Sequence, residues 1–141
     1  MYAFPDGYPE DLLDRILKNG GEFKEYHDVY RVAKYGLNDP RSFYSTIQEK
    51  ILESNGALRP NESKKKPALS DYSTSLSTSV EKMAAYLQHS EQKHPKATII
   101  IGYTKKEFGP TKLNVESKHI HWWLYKGAEP WRCFRAGENL L

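Results

Sequence analysis

The chain has 141 residues, a formal charge of +3, one cysteine and 13% aromatic residues. That length sets a single domain over residues 1–141 with a core of useful size, and the lone Cys133 excludes a disulfide framework or a cysteine-cluster zinc site. Ten Tyr and three Trp argue against global disorder, no apolar run is long enough to cross a membrane, and the first residues lack a secretory signal's basic and apolar regions, so a soluble cytoplasmic protein with no membrane partner is expected.

The first predicted helix covers residues 9–18. Pro9 suits its first position, Leu12, Leu13, Ile16 and Leu17 share one face, and Asn19-Gly20-Gly21 stops it. Residues 26–35 read as a strand with Val29, Arg31 and Ala33 on one face and Tyr30, Val32 and Lys34 on the other. An arginine between two small apolar residues marks either a solvated sheet edge or a place that needs its charge. Asp39-Pro40 is a cap and first-turn proline for a second helix, with Phe43, Ile47 and Ile51 facing inward and Asn55-Gly56 at its end. Residues 57–70, with Pro60, Pro67 and Lys64-Lys65-Lys66, read as a basic loop.

Thr78-Ser79-Val80-Glu81 reads as a capping box for a third helix, whose stripe is Val80, Met83, Ala84 and Leu87. Residues 97–103 are the clearest buried strand, 104–118 a loop around Gly109-Pro110, and His119 to Tyr125 a second strong strand. Lys126-Gly127 turns the chain, and Trp131 to Phe134 returns as a short strand. Helices early and strands late give an α+β class.

Two stretches carry chemistry. Residues 73–79 hold six hydroxyls in seven positions, of which helix capping explains only one or two. On a strand, His119 and His121 project from one face with Trp123 and Tyr125 after them, which forms either a surface for a base or ribose or an aromatic core. His-x-His alone is a weak metal signal, and no metal is assigned. Cys133 has no base beside it and reads as a structural thiol.

In order, Tyr30-Arg31, Tyr72-Ser73-Thr74-Ser75 and His119-Ile120-His121-Trp122-Trp123-Leu124-Tyr125-Lys126-Gly127 resemble the three motifs of the ADP-ribosyltransferase fold. The resemblance implies two small packed antiparallel or mixed sheets with peripheral helices, and NAD as cofactor. It also implies that Arg31, with Tyr30, holds the NAD diphosphate, while Tyr72, Ser73, Thr74 and Ser75 shape the nicotinamide-ribose pocket. The family's catalytic glutamate stabilises the positive charge developing on the ribose as nicotinamide departs. Here His121 occupies that slot and His119 the position two before it, and a neutral imidazole supplies no negative charge. Glu116, five residues before His121, is the nearest upstream carboxylate.

The expected function is binding of NAD or an ADP-ribose-type nucleotide, with ADP-ribosyl transfer or NAD cleavage by a non-standard site. The alternatives are a non-catalytic nucleotide-binding protein of the same fold and an RNA- or protein-binding α+β domain, the latter served by the triple lysine and weakly supported by a charge of +3.

Overall fold

The structure, a computed structural model, describes residues 3–55, 57 and 67–137. Lys64-Lys65-Lys66 and most of the expected basic loop lie outside the described residues. Leu12 and Ile16, one helical turn apart, are fully buried and anchor α1 (Leu12–Lys18). This helix is shorter than expected. Pro9 and Glu10 precede it, and Leu17, expected on the inner face, is 42% exposed.

The second helix differs more. Asp39 does accept a hydrogen bond from the Arg41 amide, but the element it opens is a 3-10 turn, Pro40–Phe43. Tyr44 is extended, and the chain restarts at α2 (Thr46–Glu53) under a reciprocal capping box of Ser45 and Gln48. Ser45 wins the competition for the helix start because it and Gln48 together satisfy two amides. The break has a consequence. A continuous helix would spend the carbonyls of Ser42, Phe43 and Tyr44 inside its own ladder, whereas here all three are free to accept from the sheet. The third helix, α3 (Val80–Ser90), is capped by Ser79, one residue later than expected.

The strands are β1 (His27–Ala33), β2 (Thr74–Ser77), β3 (Thr98–Tyr103), β4 (Thr111–Asn114), β5 (His119–Trp122) and β6 (Phe134–Ala136). The class is α+β, as expected. The described strands nevertheless form one antiparallel sheet in the order β4-β5-β2-β1-β3-β6, rather than two packed sheets. Two of its strands lie in the hydroxyl-rich stretch 73–79 (β2) and in the expected loop 104–118 (β4); four residues each is too short for a periodicity to show. Residues 130–133 form a 3-10 turn, and the last strand follows at Phe134.

One face of the sheet carries the core. Val29, Ala33, Leu76, Ile100, Ile120, Trp122 and Phe134 pack there with Phe43 and Cys133. A second cluster joins Leu12, Ile16 and Ile47 to Tyr72 and Trp123. Both tryptophans are closed from solvent, with their N–H groups donated to the Gly109 and Leu69 carbonyls, so large apolar areas are buried without an orphaned donor. The sheet is weakest at its centre. β1 and β2 share a single residue pair, Tyr30 with Ser77, while β2 and β5 pair along their full length.

Gly109 tests this packing. Its φ is 142°, a Cβ there would overlap the Trp123 carbonyl, and the Gly109 carbonyl accepts from the Trp122 indole. Gly109→Ala is expected to lower the unfolding free energy by about 2–3 kcal/mol in urea titration. Gly36→Ala, at φ 90° with open space around it, should cost roughly 1 kcal/mol.

Candidate functional site

Continuing the Tyr30–Ser77 register would place Val32 opposite Ser75, but β1 and β2 part there. The Arg31 side chain bridges the gap. Its Nη1 donates to the Ser75 carbonyl at 2.6 Å, Nε to the Ser42 carbonyl at 2.7 Å, and Nη2 to the Tyr44 carbonyl at 3.3 Å. From β2, Thr74 Oγ1 donates to the intervening Phe43 carbonyl at 2.6 Å. The segment 42–44 thus ties the two parted strands together. Arg31 is only 9% exposed and has no carboxylate partner among the described residues. Burial lowers its pKa from the ordinary arginine value, with Glu49 and Tyr86 opposing that shift. The guanidinium stays charged, and three of its five donors meet carbonyls, which leaves two.

Arg31 also lines a cavity of about 360 Å³. Ser73, Ser75 and His119 line one side, Lys34 and Val32 another, and α2 and α3 contribute Glu49, Lys82 and Tyr86. Glu49 is paired with Lys34 at 3.2 Å and is the one carboxylate among the described lining residues. Lys82 Nζ donates to the Ser117 carbonyl and has no acidic partner among the described residues. The cavity is therefore net cationic, a setting that favours an anionic ligand.

His119 forms part of its wall, and His121 stands beside it, lining the neighbouring cavity. Their rings are 4.5 Å apart, and His121 continues to Trp123 at 5.7 Å. The Ser73 hydroxyl lies 2.7 Å from the Ser70 carbonyl and 3.0 Å from His121 Nδ1. It has one proton: given to the Ser70 carbonyl, it leaves the hydroxyl oxygen to accept from a protonated Nδ1, and given to a bare Nδ1 it makes His121 the acceptor. Burial, then the His119 ring and Lys112, hold the His121 pKa down to about 4. His119 is lowered by burial, then by Arg31 and Lys82. Its Nε2 is buried without a hydrogen-bond partner among the described residues, an unspent polar atom in the wall of a polar cavity.

Arg31, Ser73, Ser75 and His119 thus meet at one cavity, and His121 stands directly behind Ser73. The other expected site residues do not line it. Tyr30 is at the point where β1 and β2 pair, Tyr72 is 6% exposed in the second core cluster, and Thr74 is spent on the Phe43 carbonyl. Glu116 is exposed in the β4–β5 turn, because that tight turn carries it past the strand ends. Lys34, Glu49 and Lys82 were not legible as site residues, since charges on helices and strands read as solvated faces. Among the described residues no three His, Cys, Asp or Glu side chains gather as a metal site. The Cys133 thiol is buried, and burial raises its pKa.

The chain matches no family model, no curated protein and no solved structure.

The His121 environment sets a pH dependence. Its folded pKa of about 4 lies below the ordinary value near 6.5, so protonation favours the unfolded chain. The stability that it contributes is complete above about pH 6.5 and is lost as pH falls toward 4. The ring is expected to titrate near 4 by NMR, and His121→Asn should flatten that part of the urea-midpoint profile.

Proposed function

We propose that the chain is a nucleotide-binding domain that takes NAD or an ADP-ribose-type nucleotide, with its diphosphate against Arg31. The observation that carries this reading is a buried guanidinium, without a carboxylate partner among the described residues, in the lining of a cationic cavity. A planar, permanently charged donor with unspent N–H groups suits a diphosphate. Ser75 and His119 add neutral hydrogen-bonding groups of the kind that a ribose needs, and the volume of about 360 Å³ lies in the lower part of the range for small-ligand sites, roughly 300–1,000 Å³. Arg31 and Ser73 line one cavity with His119, as the resemblance to ADP-ribosyltransferases asks of the first two motifs, whereas His121 lines the neighbouring cavity and the described strands form one sheet.

Thermal and calorimetric titration tests the reading. ADP-ribose at about 100 times its dissociation constant should add about 2.7 kcal/mol of stability, and adenosine, which lacks the diphosphate, should add none. Lys82→Gln should weaken ADP-ribose roughly fivefold by removing an exposed cation from the rim. Absence of any shift with ADP-ribose and NAD overturns the reading.

Glu49 favours a second reading, cleavage of NAD. Nicotinamide leaves with the electron pair of its bond to the ribose, water adds to the ribose carbon that turns positive and gives up a proton, and a carboxylate in the same cavity stabilises that charge where neutral histidines do not. Nicotinamide release should then be lost in Glu49→Gln while ADP-ribose binding persists. Glu116→Gln, on the exposed turn, should leave both unchanged.

A further inference from the structure

On the other side of the Ser73–His121 hydrogen bond lies a separate cavity of about 430 Å³. Arg15 and Asn19 enter it from the end of α1, Lys112 from β4, and His121, Trp123 and Ser70 close it. No carboxylate is among its described lining residues, and neither Arg15 nor Lys112 forms an ion pair among the described residues. Lys112 is held at the site by register, opposite His121, and the end of its side chain passes beside Gly20. The Trp123 N–H is spent on the Leu69 carbonyl, so the tryptophan is a fixed wall rather than a donor.

Two cations carried by different elements repel each other when they converge without a counter-charge. An oxyanion between them relieves that repulsion, with the guanidinium fork taking two oxygens and the ammonium acting as a point charge. The structure also places this groove against the nucleotide cavity, because Ser73 lines one and its hydrogen-bond partner His121 lines the other. We propose that the groove is a second anion site that takes the phosphate group of a small phosphorylated ligand. The site stands on its own lining; that its ligand lies beside a nucleotide rests on the reading above.

The test is an NMR titration of the whole chain with inorganic phosphate and, separately, with ribose 5-phosphate. The Trp123 indole and His121 ring signals should shift and saturate, and should still do so when ADP-ribose is present at saturation. Arg15→Gln and Lys112→Gln should each weaken phosphate about tenfold, as loss of one charge-assisted contact does, while Lys82→Gln across the wall leaves it unchanged. Saturation by ribose 5-phosphate but not by inorganic phosphate assigns a site that also reads the sugar; the reverse assigns the free ion. The proposal is overturned if neither probe saturates, if the shifts are confined to residues of the Arg31 cavity, or if both variants bind as the parent does. If phosphate binds here and ADP-ribose does not bind at all, the nucleotide reading falls and the second site stands.

Discussion

Everything in the centre of this molecule depends on how one buried charge is satisfied. Arg31 grows from the core-facing side of β1, where its neighbours Val29 and Ala33 are fully buried. A guanidinium in that position usually needs a carboxylate, since the desolvation of an unpaired ion is costly. Here three backbone carbonyls stand in for it, from Ser42, Tyr44 and Ser75. Carbonyl dipoles hold the ion in place but leave its net charge intact. The solution therefore keeps a positive potential inside the fold, which an ion pair would have cancelled.

The same arrangement explains why the sheet parts at its middle. Beyond the Tyr30–Ser77 pair, the β1 and β2 backbones are bridged by a side chain and by the segment 42–44 instead of by ladder bonds. That segment is available only because Ser45 restarts the helix and releases its carbonyls. A serine and a glutamine in a capping box thus decide, one step removed, whether a central cavity exists. Restoring a continuous helix through Tyr44 would withdraw those carbonyls, leaving Thr74 without its acceptor and Arg31 with the Ser75 carbonyl alone of its three.

Much of this was readable in the residues, and the unreadable part has physical reasons. Arg31 stood out because period-2 alternation put a charge among small apolar side chains, and the structure places it where that anomaly matters. The long strand β3 and the histidine strand β5 were legible from continuous apolar or alternating runs. The strands β2 and β4 were not, since Thr-Ser-Leu-Ser and Thr-Lys-Leu-Asn become strands through pairing with β5 rather than through their own propensity. Glu116 was favoured by closeness in sequence, yet a hairpin turn separates it from the cavity while Glu49, far away in the chain, is brought in by α2. Local spacing could find the strand-borne half of the site, and only the packing of α2 and α3 over the sheet supplies the rest.

The histidine pair is best understood as a wall between two cationic spaces. Arg31 and Lys82 act on His119 from one side, and Lys112 acts on His121 from the other. Burial and these charges together keep both rings neutral near pH 7, so without an anion nearby the wall adds no charge to either cavity. An anion held by Arg31, or by Arg15 and Lys112, reverses the sign of that local field and raises the pKa of the ring that faces it. Because the rings are 4.5 Å apart, a proton gained by one also disfavours a proton on the other.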